Sequence, residues 1–118
     1  MPATEYPIQI ERGATFERTL RLLDDGEARN LTGYSARGQI REGWSETAEK
    51  VADFALTIAT PTSGEIAWGL DSETSAAIDA GMYVYDVEIY NSADPADVVR
   101  LLRGPVEVLP RATRPEAP

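Results

Sequence analysis

Carboxylates are the only plentiful side chains in this sequence that could do acid–base work: 20 Asp and Glu stand against 11 Lys and Arg, with no cysteine and no histidine. That composition excludes thiol nucleophiles, disulfide staples, imidazole bases and the usual zinc and haem ligands. What remains is paired-carboxylate chemistry of the glycosidase kind, which needs two carboxyls at a set separation and one pKa raised by burial. With so many acids, accidental pairs are assured and spacing singles out none, so the expectation is a protein that is not an enzyme. Asp24-Asp25-Gly26 and the turn from Asp94 to Asp97 offer hard oxygen ligands. Neither follows the D-x-[DN]-x-[DN]-G pattern of a calcium loop, and both read as ordinary turns. Gly13, Gly26, Gly33 and Gly38 are scattered over turns and strands and form no phosphate loop. No metal, cofactor or small-molecule substrate is expected.

Aromatic and charged residues give the candidate contacts. Trp44 stands in Arg41-Glu42-Gly43-Trp44-Ser45, outside any apolar phase, where it could anchor a protein interface, stack on a sugar or fold back to cap the end of a domain. Tyr90 falls on the polar side of its strand beside Glu88 and is a second candidate contact. Trp68, in phase with Ile66 and Leu70, reads as core. From Glu42 to Asp97 there are twelve acids and one base, Lys50, while the flanks hold eight acids and ten bases. An acidic block of this kind disfavours nucleic-acid backbone binding and suits either a solvated surface or a seat for a basic partner. No run approaches the about 18 apolar residues of a membrane span, and the start lacks a signal-peptide pattern. A cytosolically made protein that neither enters nor crosses a membrane is expected.

These residues must be positioned by strands. Ile8 and Ile10 share a face in a short edge strand from Tyr6 to Glu11, where Pro7 suits an edge. Phe16, Leu20 and Leu22 are in phase over Thr15 to Leu23, with Arg18 a blemish, and Asp24-Asp25-Gly26 closes that strand. Ser35 to Arg41 alternates, and Glu42 to Glu49 is a loop. Phe54, Leu56 and Ile58 mark a strand over Val51 to Ala59, paired as a hairpin with Glu65 to Leu70. Asp71 to Asp79 opens with an N-cap pattern and predicts one short helix near residues 72–79. Met82 to Tyr90 then runs through a turn at Asn91 to Asp97 into Val98 to Leu109, with a bulge or break at Gly104-Pro105. Ile40, Phe54, Ile66, Trp68, Tyr85, Val87 and Val106 are the predicted core. Pro110 to Pro118 has three prolines and no apolar period, and reads as an extended tail whose Arg111 and Arg114 could reach carboxylates on a neighbour.

Asp79-Ala80-Gly81-Met82-Tyr83 resembles a tyrosine corner, in which a tyrosine at the start of a strand bonds back to upstream backbone. Asp79, Gly81 and Tyr83 are therefore structural residues. The fold expected is an all-β, immunoglobulin-like antiparallel β-sandwich of about seven strands with one short helix. The sandwich should span residues 6–109, between an extension at residues 1–5 and the tail at residues 110–118.

A series of short motifs runs along this framework: Ile8-x-Ile10-x-x-Gly13-x-Thr15-Phe16, Asp24-x-Gly26, Leu31-Thr32-Gly33-Tyr34, Gln39-Ile40-Arg41, Gly81-x-Tyr83-x-Tyr85-Asp86-Val87 and Leu102-x-Gly104-x-Val106-x-Val108. Together they resemble the small immunoglobulin-like virion proteins of tailed bacteriophages and are similar to the amino-terminal domain of phage baseplate upper proteins. The resemblance implies a non-enzymatic structural component of the virion, a tail or baseplate adaptor docking in several symmetric copies. It would be synthesised in the bacterial host cytoplasm, with other virion proteins and copies of itself as partners. Capsid decoration is the near alternative, and a carbohydrate-binding module using Trp44 is the alternative of another class. Baseplate upper proteins carry receptor-binding proteins on a further carboxy-terminal part. Here the sequence stops soon after the sandwich pattern, so docking or decoration is expected in place of receptor carriage.

Overall fold

Period-two alternation builds strands that stack as two sheets with their apolar faces together. The computed structural model describes residues 3–113. Its strands, in chain order, are β1 (Thr4–Glu5), β2 (Ile8–Glu11), β3 (Phe16–Arg21), β4 (Leu23–Asp24), β5 (Glu27–Ala28), β6 (Tyr34–Arg41), β7 (Lys50–Asp53), β8 (Ala55–Thr57), β9 (Glu65–Leu70), β10 (Gly81–Asn91) and β11 (Asp94–Leu109). A 3-10 turn at Pro61–Ser63 precedes β9, and a helix, α1 (Ser72–Ala76), precedes β10. The larger sheet has the order β1-β11-β10-β6-β7, with β2 also paired to β11; the smaller has the order β3-β9-β8. This is an all-β sandwich in the immunoglobulin-like arrangement: β3-β9-β8 stand as strands B, E and D, and β11-β10-β6 as G, F and C.

The sandwich is not antiparallel throughout. β1 and β2 both run parallel to β11, with Thr4 opposite Leu102 and Ile8 opposite Val106. Pro7, which has no N–H to give, separates the two segments, while the Tyr6 N–H still reaches Arg103 O at 2.9 Å. Gly104 allows this approach, because a β-carbon there would lie 2.9 Å from the Tyr6 carbonyl oxygen. The sheet thus begins at Thr4, inside the expected extension. The strand count exceeds the expected seven because several elements are short pieces. One is the β4–β5 ribbon, where Asp25 and Gly26 take φ of 52° and 84°, as a two-residue type I′ turn requires.

Two further boundaries differ from the sequence reading. The predicted strand Val51 to Ala59 is split at Phe54, whose N–H bonds Gly38 O at 2.9 Å; beyond it the chain leaves the large sheet for the small one. The irregularity in β11 falls at Leu101, because Val87 faces Leu102 while Glu88 faces Arg100. Skipping Leu101 lets Val99 and Leu102 both turn inward. Gly104 and Pro105 stay in register, opposite Tyr85 and Val84. At the far end Asn91 pairs with Asp94 and Tyr90 with Val98, so Pro95, Ala96 and Asp97 bulge out of the ladder.

All seven predicted core residues are buried, none more than 6% exposed. Trp68 is the joint between the sheets, with Phe54 edge-on at 5.2 Å, Phe16 edge-on at 5.6 Å and Tyr85 stacked at 5.6 Å. The Tyr85 hydroxyl donates to the Tyr6 carbonyl, and burial pushes its pKa well above the ordinary phenol value.

α1 is shorter than the stretch 72–79. Asp71 caps it by accepting the Thr74 N–H at 2.7 Å, a bond that holds the Asp71 carboxyl below its usual pKa. Ser75, fully buried, accepts the Gly13 N–H at 3.0 Å and donates to Ala14 O at 2.8 Å, stapling the helix to the β2–β3 turn. Beyond it the Tyr83 hydroxyl donates to Asp79 O at 2.7 Å, which closes the corner. Tyr83→Phe is expected to cost about 1 kcal/mol, since water can reach the freed carbonyl and limit the loss. An unchanged urea midpoint would show that the corner bond does not stabilise the fold.

Candidate functional site

The outer face of the large sheet carries the densest arrangement of interacting polar and aromatic side chains. Strand alternation sends Tyr85, Val87 and Ile89 into the core and leaves Val84, Asp86, Glu88 and Tyr90 on the opposite side. Pairing brings Arg37 and Gln39 of β6 alongside Glu88 and Asp86, with Arg100 and Arg103 of β11 on the other flank.

Glu88 is the hub. Its side chain is 12% exposed and sits between two guanidinium groups, Arg37 Nε at 2.6 Å from Oε1 and Arg100 Nη2 at 2.9 Å from Oε2. Arg100 also reaches Asp86, Nε to Oδ2, at 3.2 Å. Burial raises the Asp86 pKa, and the nearby Arg100 opposes the shift. The Arg37 guanidinium lies over the Tyr90 ring at 4.4 Å, and that of Arg103 over the Trp44 ring at 4.3 Å.

Arg41 fixes the loop that carries Trp44. Its Nε and Nη2 donate to Gln39 Oε1 at 3.1 and 2.8 Å, and Nη1 donates to Ala48 O at 2.9 Å. The Glu42 to Glu49 loop is thereby tied to β6. Trp44 lies at one side of a shallow hollow of about 350 Å³, floored by Gln39, Asp86 and Glu88. The hollow can stack against a ring or a planar cation and exchange hydrogen bonds with a polar partner.

Trp44 is 52% exposed and lies on the sheet face, so it does not cap the core. Tyr90 shares that face. Arg111 does not: its side chain lies across Gly13, so close that a β-carbon there would stand 1.9 Å from Nη1. Arg111 is half-buried against its own chain. Arg114 and the rest of the tail lie outside the described residues. Asp79, Gly81 and Tyr83 sit at the base of β10 as a corner, with Arg12 3.5 Å from Asp79.

The acidic block is not one acidic face. Asp86 and Glu88 are neutralised by Arg37 and Arg100 from the sequence flanks, Asp79 by Arg12, and Asp53 by Lys50, which holds the Asp53 carboxyl below its usual pKa. Sequence reasoning missed Arg37, Arg100 and Arg103, whose roles appear only once strand register is known. Among the described residues no group of three or more Asp or Glu side chains is placed to hold a metal ion. No helix among them is long and apolar enough to cross a membrane. A concavity of about 790 Å³ over the outer face of the small sheet holds none of the predicted site residues.

No protein-family model matches the chain, and no curated protein matches it.

Proposed function

We propose that the chain is a protein-docking module that binds through the outer face of its large sheet. The observation that carries this reading is the pair of aromatic–arginine stacks, Trp44 with Arg103 and Tyr90 with Arg37, held in place by the Glu88 ion network. Tryptophan, tyrosine and arginine are the side chains that dominate binding energy at protein interfaces. Here packing already restricts them, so less side-chain entropy is lost on docking. Trp44→Ala should weaken partner binding by about 2 kcal/mol or more while leaving the melting temperature nearly unchanged. Unaltered binding would remove Trp44 from the interface.

The resemblance to small virion proteins makes the reading more specific: a non-enzymatic tail or baseplate adaptor of a tailed-phage particle, present in several copies and contacting other virion proteins. Immunogold labelling of intact particles tests it, with gold at the tail tip or baseplate as the expected result. Gold over the head would indicate capsid decoration, and unlabelled particles would reject a virion role. The hollow beside Trp44 favours a second reading, sugar binding, because it joins an indole to carboxylates and arginines. That reading is the weaker one: those polar groups already bond one another, and Arg103 covers one face of the ring. Glycan-array binding abolished by Trp44→Ala would reverse the order.

A further inference from the structure

The edge of the small sheet carries a self-complementary strand. β3 lies at the end of the order β3-β9-β8 and pairs only with β9 among the described residues. In an antiparallel ladder, alternate residues turn both backbone groups toward the same neighbour. Leu22 continues the even-numbered series of β3 and donates its N–H to Gly64 O at 2.8 Å, so the even residues Phe16, Arg18 and Leu20 bond to β9. Glu17, Thr19 and Arg21 therefore point their N–H and C=O groups outward. Consistent with this, Arg18 Nη1 reaches round to the Glu17 carbonyl at 2.8 Å. All three odd residues are exposed.

We infer that two copies of this chain associate by antiparallel pairing of β3 with β3 about a twofold axis at Thr19. The identity of the occupant follows from charge. Centred on Thr19, the register places Glu17 of each copy opposite Arg21 of the other, and the two charge pairs repeat by symmetry. Every outward N–H and C=O of the three residues gains a partner in the same register. Centring the axis on Glu17 would set carboxylate against carboxylate, and centring it on Arg21 would set guanidinium against guanidinium; both registers are repelled. Arg18 lies in the inward phase with its guanidinium 4.5 Å over the Phe16 ring. An inward charge on an edge strand discourages unselective pairing. The result is a continuous sheet across two sandwiches, with both outer faces of the large sheets left free. The inference rests on backbone geometry and does not depend on the docking role proposed above.

Sedimentation velocity of the full chain over rising concentration tests the pairing. Wild type should form a reversible dimer. Glu17→Arg and Arg21→Glu should each weaken dimerisation on the order of tenfold, because both symmetric pairs become like-charged. The two variants mixed in equal amounts should recover association, since each then meets the opposite charge on the other. Both sites are exposed, and circular dichroism melts should match wild type. A wild type that stays monomeric at every concentration would overturn the pairing, as would either variant associating like wild type or a mixture that stays monomeric. A monomeric wild type that associates only after Arg18→Leu would also overturn it, and would make Arg18 a guard of the edge.

Discussion

Val87→Asp is expected to yield no cooperatively folding protein. Val87 is fully buried in the middle of β10, opposite Gly38 on one side and Leu102 on the other. A carboxylate there would have no partner and no water, a situation that costs several kcal/mol even after the group neutralises by taking up a proton. Domains of this size have only about 5–15 kcal/mol of stability to lose. The same strand carries Asp86 and Glu88 on its outer face, so the variant tests which side of β10 is inward and, with it, which side is available for docking. Soluble protein with a cooperative thermal transition near that of wild type would show that the strand phase is wrong.

The inward residues were legible because each strand declares its own face. Tyr85, Val87 and Ile89 alternate with Asp86 and Glu88, and Ile66, Trp68 and Leu70 do the same in β9; period two needs no knowledge of the partner strand. The tyrosine corner was legible for a similar reason, since Tyr83 and Asp79 are four residues apart and their bond is local. What stayed hidden depends on contacts between distant segments. The parallel seating of β2 on β11 joins Ile8 to Val106, and no local pattern announces that pairing. Arg18 looked like a fault in the phase of β3 because only the sheet order reveals that its strand is an edge. In β11, Gly104-Pro105 drew the expected bulge to the wrong place, since the register shift falls at Leu101. Gly104 is instead explained by the Tyr6 backbone that passes it.

The candidate site divides along the same line. The outward phase of Tyr90 could be read from sequence, whereas Trp44, outside any apolar phase, was equally open to folding back as a cap. Their gathering on one face could not be read there, because it depends on Arg41 anchoring the Trp44 loop and on β6 and β11 flanking β10 in register. The acidic block has the same limit: charge counted along the chain ignores that Arg37 and Arg100 come from outside the block to meet Glu88.

Trp68→Ala is expected to destabilise the domain by about 3–5 kcal/mol, the range for removing a large buried aromatic and leaving a cavity. Trp68 meets Phe16 of its own sheet, Phe54 at the crossing between sheets and Tyr85 of the opposite sheet, so the cavity would open where no single strand can shift to fill it. Tyr6 also packs edge-on against the indole at 6.5 Å, and its carbonyl takes the Tyr85 hydroxyl. Loss of the ring should therefore loosen the parallel edge as well. Hydrogen exchange at the Tyr6 N–H, bonded to Arg103 O, should accelerate more than exchange at the Phe54 N–H, bonded to Gly38 O in the middle of the fold. Trp68→Phe keeps an aromatic at the joint and should recover more than half of the loss. Urea denaturation gives the energies and exchange gives their location. A Trp68→Ala penalty below about 1 kcal/mol would mean that the two sheets are held together elsewhere.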